Sequence, residues 1–347
     1  MTAREIRLRR MAGQHLLHRT DKMTVVRDLC GVQAQYLSNA VHSLKIRCLP
    51  DESFLYHGLV KNWTVRGTVH VLREEDLPLF VTRELYRSED WSIPCFWNQR
   101  PDWALTPARQ GELSRWILSS LKNGVRTRDE LKELCRENGM TEAEESSMFH
   151  PWGGGIRQLC ERGFLHGLVS EEKAYCLTRE FIPLSAEDAG LELARRYFTH
   201  MGPATIHDAM YFFGTTAAQV KKWLGDLPVV ETVCEGRRYY YMETGGIPEE
   251  NIPRCMFLAG FDQLMLGYEK KESLFLAGEH LRRIFNLAGI VMPAVLLDGT
   301  VAGRWKKSGK KLKVELFSPL SSGIQDMIRE TAEKLWGGEL SGIVIEE

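Results

Sequence analysis

Trp63-Thr-Val-Arg-Gly-Thr-Val-His-Val-Leu72 is an alternating, β-branched segment with a central glycine, Gly67. This pattern predicts two short strands that form a hairpin turning at Gly67. Helical patterns precede it over residues 4–19, after Asp21 and over residues 38–47. Three helices followed by a hairpin is the element order of a winged helix-turn-helix, a common DNA-docking unit. The segment therefore predicts such a unit at the start of the chain.

The same order of helices and hairpin recurs twice along the chain. In the second copy Thr127 and Glu130 have capping-box spacing, and a later helix ends at Gly163 before two short strands. In the third copy a helix ends at Gly214 and a hairpin turns at residues 235–236. Three copies at a loose period predict a tandem array of winged helices.

The pattern changes to strands from about residue 252. Asp298-Gly299 is a tight-turn signal, and the last helical pattern covers residues 324–336. We therefore predict an α+β protein in which three tandem winged helices precede a small C-terminal β-barrel or curled sheet. The predicted strands cover residues 257–266, 290–297, 300–305 and 312–317. The predicted domains are 1–107 (with an irregular Trp- and Pro-rich connection from residue 88), 108–185, 186–250 and 251–347.

Composition places the chain among ordinary globular proteins and excludes several classes. Its 347 residues are 44% hydrophobic and 26% charged, and they contain no apolar run long enough for a membrane span. The N-terminal sequence is charged, unlike a signal peptide. None of the eight cysteines forms a CxxC pair, which argues against a zinc ribbon and fits reduced thiols in a cytoplasm. We expect no metal and no cofactor.

Charge is unevenly distributed on a chain whose net charge is −1. Residues 1–50 contain nine lysines and arginines against three acidic residues, and residues 304–313 contain six basic residues and no acid. A basic face on a neutral protein is compatible with DNA binding, although such runs also occur as solvated surface.

Gly31-Val-Gln-Ala-Gln-Tyr36 contains two polar residues, Gln33 and Gln35, within apolar sequence. Strand-like spacing would place both side chains on one side of the chain. Each amide offers an acceptor and a donor without titrating near neutral pH. The pair could hold a water molecule, or it could tie a loop to its neighbours.

Five stretches together resemble the AlkZ-like (YcaQ-type) family of bacterial DNA glycosylases. They are Gly31-Val-Gln-Ala-Gln, Arg66-Gly-Thr-Val-His, Gly202-Pro-Ala-Thr, Phe261-Asp-Gln-Leu-Met-Leu-Gly and Asp298-Gly-Thr-Val-Ala-Gly-Arg-Trp. The resemblance covers nearly the whole chain in the right order. It implies three winged helices and a β-barrel in a C-shape around duplex DNA. It also implies a monofunctional enzyme that excises N7-alkylated purines, in some members unhooking interstrand crosslinks, without a metal.

The resemblance also implies which residues act. The glutamine pair of the AlkZ branch falls on Gln33 and Gln35, and a Thr-x-His motif falls on Thr68 and His70. An amide is a weak base, so it suits only a leaving group that departs without protonation. An N7-alkylguanine is already cationic, and for it a positioned water is sufficient, since orientation alone is worth up to ~7–11 kcal/mol. The nearest acids in sequence are Asp28 and Asp51.

Basic and aromatic residues on the wings and the C-terminal sheet are candidate DNA contacts. They are Arg66, Arg237, Arg238, Tyr239, Arg304, Lys306 and Lys307. The structural alternative for the basic residues is a solvated edge strand that lysines protect from pairing with another strand. The structural alternative for two of the three tyrosines at 239–241 is packing in the core. Asp262 belongs to a family-like motif, but a carboxylate that begins a turn is commonly structural.

The sequence thus predicts a monomeric cytoplasmic DNA glycosylase, acting at the nucleoid on double-stranded DNA and away from membranes. A winged-helix DNA-binding protein without catalysis, such as a regulator or damage sensor, is the alternative, and a scaffold for protein partners is a third. Salt-dependent DNA binding without base release would distinguish the second from the first.

Overall fold

The computed structural model describes residues 1–50, 56–245 and 251–346, so Asp51 lies outside the described residues. The chain divides into two compact units. Met1–Ser53 and Ala194–Glu347 make up the first unit, and Phe54–Leu193 makes up the second. This division is coarser than the four predicted modules, whose boundaries stay predictions. The helices before residue 50 belong to the first unit, whereas the strands on either side of Gly67 belong to the second.

Helices and strands alternate in short groups along the described residues. The helices are α1 (Ala3–Gly13), α2 (Lys22–Asp28), α3 (Leu37–Lys45), α4 (Pro107–Leu121), α5 (Arg128–Glu137), α6 (Glu142–Met148), α7 (Gly154–Glu161), α8 (Ala186–His200), α9 (Ile206–Phe213), α10 (Ala217–Asp226), α11 (Gln263–Leu266), α12 (Leu281–Ile284) and α13 (Ser322–Trp336). The strands are β1 (Val32–Gln33), β2 (Leu59–Trp63), β3 (Val69–Arg73), β4 (Arg126–Thr127), β5 (Leu165–Gly167), β6 (Ala174–Leu177), β7 (Val229–Cys234), β8 (Arg237–Met242), β9 (Cys255–Leu258), β10 (Ala294–Leu297), β11 (Thr300–Ser308), β12 (Lys311–Leu316) and β13 (Gly342–Glu346). Within the described ranges, no helix is both long and apolar enough for a membrane span.

The predicted helix ends are confirmed where a cap specifies them. Asp21 caps α2, and Thr127 with Glu130 forms a capping box at α5. Gly214 follows α9 directly and Gly163 follows the C-cap residue of α7, and they adopt left-handed φ angles of 62° and 69°. The first helix is shorter than predicted, because α1 ends at Gly13 rather than Arg19.

The second unit contains a sheet and a helical core. Its strands are ordered β3-β2-β5-β6-β4, and β2 pairs antiparallel with β3 in a register that places Asn62 opposite His70. Helices α4, α5 and α7 bury an apolar cluster beside this sheet. Trp91 and Trp97 are both buried, which confirms that the irregular connection packs against the core.

The first unit contains a two-stranded hairpin and an open sheet. Strand β7 pairs with β8 and turns at Glu235 and Gly236, whose φ angles of 49° and 76° are both positive. The second sheet has the linear order β13-β12-β11-β10-β9, and helix α13 covers its apolar face. The predicted β-barrel is therefore wrong, because β13 adds parallel to β12 at one edge, β9 forms the other edge, and the sheet stays open.

One predicted strand is also corrected. The apolar run over residues 257–266 is a strand only as far as Leu258. Asp262 then accepts a hydrogen bond from the backbone N–H of Leu264 and begins helix α11. Phe261 has a φ angle of 57°, so the chain turns sharply between the strand and the helix.

Candidate active site

The glutamine pair follows a tight turn at the end of helix α2. Cys30 and Gly31 have positive φ angles of 55° and 95°, and strand β1 begins directly after them. Gln33 is only 6% exposed and Gln35 is half-buried, while Tyr36 is 46% exposed. The segment therefore runs from the interior of the first unit to its surface within four residues.

Gln263 ties this turn to the protein. Its Nε2 atom donates to the carbonyl oxygens of Leu29 and Gly31, at 3.0 Å each. Neither the Gln33 nor the Gln35 side chain forms a hydrogen bond with any residue that the structure describes. The role of loop tie thus belongs to Gln263, and the two motif amides keep their donors and acceptors available.

Asp262, next to Gln263, is fixed by a buried ion pair. Its two carboxylate oxygens lie 2.7 and 2.8 Å from the guanidinium of Arg47, and the Ser43 hydroxyl donates to it at 3.2 Å. Burial would raise the pKa of the Asp262 carboxyl, but the charge and hydrogen bonds of Arg47 hold that pKa below its ordinary value. Asp262 is therefore ionised and structural, as the alternative for this residue predicted.

Phe261 contacts the other end of the glutamine segment. Its ring stacks on that of Tyr36, with centroids 5.8 Å apart. The stretch Phe261-Asp-Gln263 thus contacts the segment at both ends, through Tyr36 and through the Leu29 and Gly31 carbonyls. The sequence alone does not link this stretch to the glutamines, because more than 200 residues separate them.

Asp28, five residues before Gln33, lies in a histidine cluster. Its carboxylate is 2.8 Å from Nε2 of His15 and 3.3 Å from Nε2 of His200. Among the described residues, these three side chains form a group with ligand atoms close enough to hold a metal ion, all within 4.8 Å of one another. However, Arg27 Nε lies 2.6 Å from the same carboxylate and already matches its charge. The cluster fits an ion-paired network better than a divalent-cation site.

The Thr-x-His motif lies in the second unit, on and next to strand β3. His70 is fully buried, and its Nδ1 lies 2.9 Å from the Thr68 carbonyl oxygen and 3.2 Å from Thr64 Oγ1. Because a carbonyl only accepts, Nδ1 carries the proton and Nε2 is an acceptor. Burial lowers the pKa of His70 to about 3, so the ring is neutral at physiological pH.

Two polar atoms of this motif are buried and unpaired. His70 Nε2 and Thr68 Oγ1 have no hydrogen-bond partner in the ranges that the structure covers. Unpaired buried polar atoms are uncommon and are often completed by water or ligand. The motif therefore offers a neutral acceptor and a hydroxyl. Gln33 and Gln35 belong to the first unit and Thr68 and His70 to the second.

The third hairpin presents two arginines and buries two tyrosines. Arg237 and Arg238 are exposed, with loose ion pairs to Glu272 at 3.4 Å and Glu231 at 3.6 Å. Tyr239 is 3% exposed and packs in an apolar cluster. Tyr241 is also buried, so core packing accounts for two of the three tyrosines. Tyr239 therefore offers no exposed ring to DNA.

The basic run over residues 304–313 is partly neutralised. Arg304 donates to Glu315 at 2.8 and 3.0 Å, and Lys307 donates to Glu339 at 3.2 Å. Lys306 is exposed and forms no ion pair with the described residues. Arg66, on the hairpin of the second unit, is half-buried. Of the four basic residues in this comparison, Lys306 is thus the one that is exposed and not neutralised by an ion pair with the described residues.

Comparisons with known proteins agree on one group. A family model described as DNA glycosylase AlkZ-like matches residues 26–336. The interstrand DNA cross-link repair glycosylase of Streptomyces sahachiroi is 28% identical over 332 residues, which cover 89% of this chain and 88% of that protein. The structure of Streptomyces sahachiroi DNA glycosylase AlkZ matches with a TM-score of 0.76 and 24% identity, over 99% of both chains. The mixed α+β fold is therefore shared with that structure.

Proposed function

The chain belongs to the AlkZ-like family of DNA glycosylases, and we propose that it hydrolyses the N-glycosidic bond of cationic N7-alkylated purines in duplex DNA. In this proposal Gln33 and Gln35 hold the attacking water. Glycosylase membership favours the enzyme over a DNA-binding regulator without catalysis and over a protein scaffold. DNA is accordingly its macromolecular partner.

The observation that carries the proposal is the state of the two motif amides. Gln33 is largely buried yet has no hydrogen-bond partner within the described chain, and Gln35 beside it is also unpaired. The amide atoms of neither residue are among the buried side-chain atoms that lack a partner, so solvent reaches them and both amides can bind a ligand. A water molecule can accept from an amide N–H and donate to an amide oxygen.

The chemistry of an amide pair restricts the substrate. Cleavage of an N-glycosidic bond passes through an oxocarbenium-like transition state, which carboxylates usually stabilise or assist. Asp28 is engaged by Arg27 and two histidines, and Asp262 by Arg47. With these carboxylates paired, a neutral water-positioning site suits a base that already carries positive charge, such as N7-methylguanine. Proximity and orientation then supply the acceleration.

Thr68 and His70 serve as supporting residues in the proposal. The unpaired Nε2 of the neutral imidazole can accept from a water molecule, and the Thr68 hydroxyl can donate to a water or a phosphate oxygen. His70 cannot act as a general acid near neutral pH, because its pKa lies at about 3. Its proposed role is therefore hydrogen bonding and not proton transfer.

Exposed basic residues hold the DNA backbone in this proposal. Lys306, Arg237 and Arg238 provide positive charge at the surface, with Arg66, Arg304 and Lys307 contributing through side chains that are partly buried. We further propose that the recurring helix–hairpin groups act as tandem winged helices in a C-shaped, monomeric protein at the nucleoid. Phosphate contacts of this kind give affinity without sequence preference.

The test is release of N7-methylguanine from alkylated duplex DNA by the wild type, Gln33→Ala and Gln35→Ala. We expect release by the wild type and losses on the order of 100-fold in each variant, since misplacing a reacting group costs about this much. Gln110→Ala is the matched control, because Gln110 is a buried amide of the second unit that pairs with Gln158. Absence of release by the wild type would overturn the assignment.

Interstrand crosslinks are a second substrate to assay. The Streptomyces sahachiroi relative is named for their repair. A crosslink bridging two N7 positions presents the same cationic leaving group, so we propose that the same amides act on it. Gel-resolved unhooking of a nitrogen-mustard crosslink, abolished in Gln33→Ala, is the expected result; unhooking that survives this change would contradict a shared site.

A further inference from the structure

We propose that Gln263 is a positioning residue for the Gln33–Gln35 pair, fixing where the chain leaves helix α2. This inference rests on the proposed water-holding role of the two motif amides. It assigns a function in base excision to a residue that lies more than 200 positions away in sequence.

One of the two groups that Gln263 binds, the Leu29 carbonyl, is a group that a helix end leaves unsatisfied. The last carbonyls of an α-helix have no partner within the helix, and a side chain or water must satisfy them. Leu29 is the C-cap of α2, and Gly31 follows two residues later. Both carbonyls accept from the single Nε2 atom of Gln263, so one side chain fixes the direction of the Leu29–Cys30 and Gly31–Val32 peptide units, which precede Gln33.

The orientation of this amide is determined by its partners. Two carbonyl oxygens can only accept, so the NH2 group of Gln263 must face them. Its Oε1 atom is buried and lacks a partner among the described residues. The two donated bonds are therefore the hydrogen bonds that hold the side chain, and loss of the donor would release the Leu29 and Gly31 carbonyls.

Gln263 is itself held in place through the neighbouring residue Asp262. It is 1% exposed and begins helix α11, directly after Asp262. The Asp262 carboxylate is held by the two terminal guanidinium nitrogens of Arg47, whose Nε also donates to the Gln14 carbonyl at 3.0 Å. A rigid supporting shell of this kind is what precise placement of reacting groups requires.

The turn needs such support because its backbone is strained. Cys30 has a φ of 55°, which is uncommon for a residue with a side chain, and Gly31 has a φ of 95°. Strained turns persist only when the surroundings determine them. Backbone hydrogen bonds from Cys30 to Arg27 (3.1 Å) and from Gly31 to Val26 (2.8 Å) hold the helix side of the turn. Gln263 holds the carbonyls on either side of Cys30, so removing its donor lets the exit of the turn shift and displaces Gln33.

The experiment uses the full-length protein and the variant Gln263→Met, which keeps the side-chain volume but removes the donor. Three quantities are measured: the single-turnover rate of N7-methylguanine release, the dissociation constant for the same duplex, and the melting temperature. We expect the rate to fall between ~10- and ~100-fold while the dissociation constant changes less than about threefold. Gln110→Met, which removes a comparable buried donor from the second unit, is expected to leave the rate near that of the wild type.

A double-mutant cycle separates positioning from general destabilisation. If Gln263 acts through Gln33, then Gln263→Met should slow a Gln33→Ala protein by less than about threefold, since coupled residues are not additive. A full additional loss in that background, or wild-type rates in Gln263→Met, would overturn the inference. If the methionine variant does not fold, Gln263→Asn replaces it in the same cycle. This variant keeps the amide, but the shorter side chain cannot place its donor at the same position, so the same loss of rate and the same non-additivity with Gln33→Ala are expected. A wild type without release would instead overturn the proposed function itself.

Discussion

The guanidinium of Arg47 lies 2.7 and 2.8 Å from the two carboxylate oxygens of Asp262, and neither side chain is exposed to solvent. A buried two-pronged pair of this kind is costly to break, because the remaining partner keeps an unmatched charge. Arg47 lies just after the C-terminal end of α3, and Asp262 is the N-cap of α11. The pair therefore joins these two helix ends and fixes the position of Gln263, the first residue of α11.

Asp262→Asn should therefore destabilise the protein strongly. We expect the free energy of unfolding to fall by about 3–5 kcal/mol, since Arg47 would lose its charged partner in a buried site. Chemical denaturation monitored by tryptophan fluorescence measures this. The matched control is Asp298→Asn, a change at an exposed turn residue that should cost no more than about 0.5 kcal/mol. Equal effects of the two changes would contradict a structural role for the pair.

Neighbouring lysines on strand β11 allow a matched test of the DNA surface. Lys306 has no ion pair with the described residues, whereas Lys307 donates to Glu339. We expect Lys306→Gln to weaken duplex binding and to lower the slope of log K against log salt by about 1, the value for one lost phosphate contact. Lys307→Gln should change the slope less, because that charge is already matched. An unchanged slope in Lys306→Gln would remove this strand from the proposed DNA surface.

Metal removal should leave base release intact. His15, Asp28 and His200 are near enough to one another to hold an ion, but Arg27 already occupies the Asp28 carboxylate at 2.6 Å. We therefore expect the release rate after dialysis against EDTA to stay within about twofold of the untreated rate, because bound metal is not required to balance this carboxylate. Loss of activity on chelation, with recovery on adding zinc, would show that the cluster is a metal site.

Local features of the fold were predictable where a few residues specify the backbone. The Thr127–Glu130 capping box and the Glu235-Gly236 turn occur where the sequence predicts them, because each depends on contacts within four residues. The strand predicted through residue 266 failed for a physical reason. A continuous apolar run is compatible with strand or helix, and here Asp262 caps a helix within it.

Long-range features were not accessible in the same way. The open edge of the C-terminal sheet depends on β13, which returns after α13 to pair in parallel with β12. The glutamine motif was visible as Gln33 and Gln35, but its support was not. Gln263 reaches Leu29 and Gly31 because all three belong to the first unit, although the second unit separates them in sequence. Sequence spacing therefore identified the candidate residues and left their placement to tertiary structure.

The pH profile of excision distinguishes an amide-based site from acid–base catalysis. Amides do not titrate near neutrality, and burial lowers the pKa of His70 to about 3, below its usual value of 6.5. With a lowered pKa, His70 stays neutral throughout the assay range. Its contribution to the free energy of unfolding decreases only as pH falls from about 6.5 toward 3, where the unfolded chain binds a proton that the folded protein does not. We expect the single-turnover rate for N7-methylguanine to vary less than about twofold between pH 6 and 8.5, because no proposed group changes protonation there. His70→Asn should lower the rate without adding pH dependence, whereas a limb with an apparent pKa of 6–7 in the wild type would show that a titrating base performs the reaction.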